Sequence, residues 1–469
     1  MNTPITDIHL HPTLKPYGHS FYQNENKNDL LSSACIWHPD PPTNLDELEE
    51  NILGFPPYRE CDFTTMVNGR VNIAVVSLYP METGFVNPQL FKSESKELID
   101  LITLFGRDRI AYLQSAGYNY FTDLNNEYNY LLTLNKKNPI NGIHQYELLN
   151  SGAALTAPTT NVQVFISIEG AHVFCNGHNV EDPNAWTKIE ERIEFVKKNW
   201  EFPPFFITFC HHFYNGLASH AQSLFIKVAG KDLLDQSYKL NQPIESGKYI
   251  STTGYKVIDL LYSQQNGKRI LIDIKHMAKN TRQEFYAYRK GKYDSIPLIC
   301  SHGALIDFYS QDINLNLEDI KEIYQSEGLI GIELDQRILG YNQQQEKNRF
   351  WNWLTSIFRS RKSNNLLWAE YFWKNIIAIA EQCYDLNVNA DPWKLICLGS
   401  DFDGIINPLN KFRTSTDLQA LSECILKNLI DYWGSGSSKI PINHLGIDAH
   451  TVVYNIMYKN AKEFISKNY

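Results

Sequence analysis

Residues 395–404 read LICLGSDFDG, an apolar run that ends in a turn where Gly399 and Gly404 frame two acids, Asp401 and Asp403. A run so uniformly apolar predicts a strand buried on both faces, as in a parallel sheet. Five other apolar runs stop on residues of similar chemistry: ITDIHLH at His9 and His11, FISIEG at Glu169, ITFCHH at His211, ILIDIKH at His276 and PLICSH at His302. A single histidine after a strand is ordinarily a hydrogen-bonded core residue. Six strand ends bearing nitrogen and oxygen donors are another matter, because parallel strands of one sheet present their ends on one face.

Around these runs, short β-rich stretches alternate with amphipathic segments, the pattern of a parallel sheet covered by helices. Eight principal strands are expected, at 5–10, 71–78, 162–168, 205–210, 269–275, 296–301, 328–334 and 395–400. Eight is the number that closes a (β/α)8 TIM barrel. The chain 1–469 therefore reads as one α/β barrel domain, with excursions at 11–70, 117–160, 212–250 and 340–366 serving as lids or interfaces. Helices are expected at 191–199, 253–267 and 317–328, the last two stopped by Gly267 and Gly328, and a final one over 450–465. RIAYLQSA at 109–116 reads as an extra strand within the excursion that follows the second strand.

Hydrophobic residues make up 43% of the chain and charged residues 20%, with a net charge of −9. Together with a sequence pI of about 5.9, this argues against a nucleic-acid partner. The eight cysteines, at 35, 61, 175, 210, 300, 383, 397 and 424, form no C-x-x-C pair. They read as reduced core thiols of a cytoplasmic protein, or of a soluble one that has lost a signal peptide. No stretch of about 18 apolar residues occurs, so no membrane span is expected. FWNWLTSIFRSRKSNN at 350–365 reads as a covering helix and a solvated loop, and Trp351, Trp353, Trp368 and Trp373 as core or homodimer contacts.

In His9-Leu10-His11 the two-residue period of a strand sends both imidazoles to one side, where a single metal can take both. Glu169 would be costly to bury unpaired. A salt bridge would remove that cost, and so would a metal; a carboxylate can bridge two cations about 3.5 Å apart. His276 and His302 would complete a second metal position. Asp401 can touch a metal and accept a proton from bound water, while Asp403 braces the turn or a histidine.

In that order and on those strands, TDIHLH, SIEG, TFCHH, DIKH, CSHG and above all GSDFDG resemble the membrane (renal) dipeptidase family of zinc peptidases, within the amidohydrolase superfamily, over roughly residues 5 to 465. The resemblance implies a metal-dependent hydrolase with two divalent metal ions, zinc foremost, acting on a short peptide or another small molecule. It makes His9 and His11 ligands of one ion, Glu169 the bridge, His276 and His302 ligands of the other, and Asp401 a metal-side acid and base. His211, ahead of its neighbour His212, would contact substrate and steady the tetrahedral intermediate. A metal-bound hydroxide would attack an amide carbonyl, with Asp401 passing the proton on to the leaving amine.

The chain departs from the family at three places. His11 stands where the family has aspartate, which leaves the metal pair one charge unit more positive. The family's carboxylate-binding arginine is missing after His302, where the chain reads GALIDFYSQDINLNLED. Arg337 is the substitute candidate, its other reading being a surface arginine. Lys275 replaces a small hydroxylated residue and is expected to point away from the barrel. Cyclic-amide hydrolysis, deamination, and a barrel that binds a ligand without catalysis stay open as alternatives.

Overall fold

The apolar runs form strands that are buried along their whole length, and a ninth, short strand is partly exposed at Glu147. In this computed structural model they are β1 (Ile5–Leu10), β2 (Val71–Leu78), β3 (Tyr146–Leu148), β4 (Val162–Glu169), β5 (Phe206–Thr208), β6 (Leu271–Asp273), β7 (Ile299–Gly303), β8 (Leu329–Ile332) and β9 (Ile396–Leu398). The structure describes residues 3–53, 56–86, 100, 103–138, 144–175, 183–222, 227–228, 231–232, 249–341 and 361–469.

Eight of these strands close a parallel ring in the order β2, β1, β9, β8, β7, β6, β5, β4, with β4 paired back to β2. This is the expected TIM barrel, and all eight expected strands lie within it. The ninth strand, β3, has a local cause. β5 is short and pairs only with Ser167–Glu169 of β4, so the first half of that edge would be left with unsatisfied backbone groups. β3 covers it, Tyr146 to Leu148 pairing with Val162 to Val164.

RIAYLQSA is not a strand. Arg107–Leu113 is a helix with Arg109, Ile110 and Leu113 buried. Ile110 and Leu113, three apart, share a helical face and would lie on opposite faces of a strand. Arg109 also fixes the helix by a two-pronged pair with Asp123, at 2.6 and 2.5 Å. The helix expected at 253–267 is Thr252–Tyr262; Gly267, at φ +116, shapes the turn beyond it. The helix before β8 is Leu317–Gln325, and the left-handed position after it belongs to Glu327 rather than Gly328. Gly328 is needed for closeness instead, because a Cβ there would stand 2.2 Å from the Leu298 carbonyl oxygen.

The final helix runs from Ala449 to Asn468 through one π-type turn at Asn455–Lys459. It seals the barrel near β1 and β9. Thr6 Oγ1 donates to the Tyr458 carbonyl at 3.1 Å, and Asn460 Nδ2 donates to the Trp393 and Ile396 carbonyls, both at 2.8 Å. All eight cysteines are free and buried, in keeping with core thiols. Among the described residues no helix is long and apolar enough to cross a membrane. Most of the 212–250 and 340–366 excursions, and the stretch 350–360 with Trp351 and Trp353, lie outside the described residues. Trp373 is buried in the core, with Trp368 packed against its edge.

Candidate metal centre

The strand ends meet around one carboxylate. Glu169 Oε1 lies 3.4 Å from His9 Nε2, 3.5 Å from His211 Nε2, 3.7 Å from His276 Nε2 and 3.8 Å from His302 Nε2, while its Oε2 lies 3.0 Å from His11 Nε2. Asp401 closes the ring from β9. Its Oδ1 is 3.4 Å from His11 and 3.7 Å from His9, and its Oδ2 is 3.9 Å from His302. His9 and His11 stand with their Nε2 atoms 3.2 Å apart, His276 and His302 with theirs 3.3 Å apart. The sequence-predicted donors are thus brought together as two histidine pairs on either side of Glu169.

The backbone under these donors is strained. His276 (φ 65), Asp401 (φ 61), Asp403 (φ 64) and Ile405 (φ 64) all take left-handed conformations, which non-glycine residues adopt only when the surroundings impose them. Gly404 makes the turn possible, since a Cβ there would fall 2.1 Å from Asp401 Oδ1. Two aspartates set the strand ends in register by one device. Asp7 Oδ1 accepts the amides of His9 (3.2 Å) and Ser400 (3.0 Å), and Asp273 Oδ1 those of Lys275 (3.0 Å) and Ser301 (2.9 Å). Each carboxylate thus ties its own strand end to the adjacent strand.

Asp273 also sets a histidine. The Ser301 hydroxyl donates to Asp273 Oδ2 at 2.6 Å and lies 2.8 Å from His302 Nδ1. With the serine proton committed to the carboxylate, His302 Nδ1–H donates to Ser301 Oγ, and the Nε2 lone pair faces the cleft. Asp403 braces the turn rather than a histidine. It pairs with Lys15 Nζ at 2.7 Å and accepts the amides of Glu60 and Cys61 at 3.0 and 3.1 Å.

Electrostatics favours a cation at the centre. Burial pulls the His11 imidazole down, but Glu169 and Asp401 outweigh it and lift it to about 10. Burial likewise pushes Glu169 up, and His211, His11 and His9 together hold it well below the usual carboxylate range. On the other side burial, with His211 beside His276 and His9 beside His302, pushes both imidazoles well below their ordinary value, so their lone pairs stay available. A dry cluster that attracts protons this strongly on one side and offers neutral imidazoles on the other fits divalent metal ions. Nitrogen and oxygen donors of this kind suit zinc, and also manganese or iron.

One carboxylate of the site went unrecognised in the sequence. Glu82, four residues past β2, accepts from His211 Nδ1 at 2.6 Å, Tyr79 Oη at 3.0 Å and the amides of His212 and Phe213 at 3.3 and 3.1 Å. Burial raises its carboxyl, but His211, His172 and the Tyr79 hydroxyl overcome this and hold it at about 2. His212 is half-buried beside His211, and one nitrogen donor from each of His211, His212 and His276 lies within 4.8 Å of the others. Lys275 does not point away from the barrel. It lines the cleft and pairs with Glu333 Oε2 at 2.7 Å, because a lysine this deeply buried needs a countercharge. Arg337 is no plain surface residue either: it is half-buried, lines the same cleft and grips Asp335. The cleft measures roughly 440 Å³ with its mouth included and is bounded by Phe85, Ile313, Ile338, Ile405 and Ile406 beside these polar groups.

No family model matches the sequence, and no curated protein does. Solved structures are similar. A metallopeptidase from Rhodobacter sphaeroides, liganded with a phosphinate mimic of the dipeptide L-Ala-D-Ala, is 12% identical, with a TM-score of 0.53 over 100% of this chain and 99% of that one. A second metallopeptidase structure, dipeptidase AC, is similar with the same identity, coverage and TM-score. An amidohydrolase from Pseudomonas aeruginosa is 14% identical over 87% of this chain and 91% of that one, with a TM-score of 0.47. The fold is therefore the barrel of the two metallopeptidase structures.

Proposed function

We propose that this chain is a metal-dependent hydrolase, dipeptidase-like, that cleaves an amide bond of a short peptide or related small molecule, and that its 469 residues form one barrel domain. The observation that carries the reading is the convergence of the Nε2 atoms of His9, His11, His276 and His302 on Glu169, at 3.0–3.8 Å, with Asp401 3.4 Å from His11 and 3.9 Å from His302, at the ends of parallel strands. His9, His11 and Asp401 would hold one divalent ion, and His276 and His302 a second, with Glu169 between them. A divalent pair in such a site polarises a carbonyl and lowers the pKa of water toward neutrality.

The protein's own groups supply the rest. Asp401, its side chain 13% exposed, lines the cleft beside His9, His11 and His302. It takes the proton of the attacking water and returns it to the leaving amine. Burial lowers the His211 imidazole, but Glu169 and Glu82 raise it above its ordinary value and favour the imidazolium, whose Nδ1–H donates to Glu82 and whose Nε2–H can donate to the oxygen of the tetrahedral intermediate. The isoleucines and Phe85 limit water around the scissile bond. The test is a panel of dipeptides and cyclic amides given to protein loaded with zinc or manganese. Hydrolysis of linear amides supports the reading; turnover of cyclic amides alone would replace it.

A further inference from the structure

Among the described residues, the lysine and arginine lining the cleft are Lys275 and Arg337, and each is already answered by an acid. Lys275 Nζ lies 2.7 Å from Glu333 Oε2, both side chains 1% exposed. Arg337 holds Asp335 through Nε at 2.9 Å and Nη2 at 2.5 Å, and Nη2 also donates to the Ile405 carbonyl at 3.0 Å. A carboxylate arriving at this wall would meet no unopposed positive charge from it. It would instead meet Glu333, Asp335 and Asp401 in a setting where water screens little.

The wall is nonetheless open to hydrogen bonds. An ammonium has three N–H donors, and Glu333 Oε2 is the acceptor that Lys275 Nζ reaches. Glu333 Oε1 is buried without a partner. A spare donor and a spare acceptor thus sit on the two halves of one neutral ion pair. A carboxamide offers the complement, a carbonyl oxygen for Lys275 and an N–H for Glu333. It would satisfy the buried oxygen without adding net charge.

We propose that the Lys275–Glu333 and Asp335–Arg337 pairs select a substrate whose end at this wall is an uncharged carboxamide, such as an amidated peptide terminus, over one ending in a free carboxylate. The proposal rests on the reading of the centre as an amide hydrolase.

The experiment gives the metal-loaded full chain, at pH 8, a set of dipeptides as free acids and as C-terminal amides, and compares kcat/KM. The amides should be favoured by about tenfold or more. Calorimetry with the products, alaninamide against alanine, should follow the same order. Glu333→Gln leaves Lys275 unanswered and should raise activity on the free acids while lowering it on the amides. Asp335→Asn releases Arg337 and should shift the preference the same way, with metal content confirming that each variant keeps its centre. A wild-type preference for free acids, or an amide preference unchanged in both variants, overturns the proposal while amide hydrolysis stands. Metal-loaded protein that hydrolyses neither form overturns the hydrolase reading and this proposal with it.

Discussion

Glu82 shows how much one buried carboxylate can organise. It holds the imidazole of His211 and two amides of the loop after β5. Glu82→Gln keeps the shape but loses the charge behind the imidazole, so kcat should fall by about 10- to 100-fold with KM nearly unchanged. A stopped assay across substrate concentration separates the two. The same residue carries a pH signature. Its folded pKa of about 2 is depressed from 4.5, so its stabilisation is present above about 4.5 and is lost as pH falls toward 2. Acid unfolding followed by circular dichroism should therefore be shallower over that window in Glu82→Gln; identical curves would contradict the assignment. His11 gives the complementary change. His11→Asp adds a negative ligand and should tighten metal binding, read as a lower dissociation constant in competition with a chelator.

Glu82 was not legible in the sequence because Tyr79, Pro80 and Met81 separate it from the apolar run. Glu333 was more legible, an acid inside the apolar run GLIGIEL, where burial demands a partner. Lys275 turns into the cleft, against expectation, at a strand end whose backbone departs from regular extension: the next residue, His276, stands at φ 65. The histidines and Asp401 were legible because each directly follows a run apolar enough to be a strand.

At the scale of elements, the barrel closes only because certain strands carry no side chain where they touch. A Cβ at Gly331 on β8 would stand 2.0 Å from the Ser301 carbonyl oxygen, and one at Gly399, just past β9, 1.9 Å from the same atom. Both would press on backbone that cannot yield without displacing His302. Gly399→Ala should therefore cost about 1–3 kcal/mol of stability and also weaken metal binding. Urea unfolding with and without chelator separates the two effects. The strand order was readable from apolar runs and helical spacers. β3 was not, because what calls for it is the shortness of β5, a property of pairing and not of composition.

For the molecule as a whole, the centre joins β1, β4, β6, β7 and β9 through nitrogen and oxygen donors that stand 3.0–3.9 Å apart. Metal bound to the folded chain should stabilise it by mass action. Chelation should lower the melting temperature, and histidine-to-alanine changes at His9 or His302 should remove most of that difference. The most direct test of the central claim measures metal content per chain together with amide hydrolysis, before chelation, after it, and after metal is restored. The account predicts two divalent ions per chain, activity lost with them and recovered on their return. Full activity in metal-free protein would contradict it.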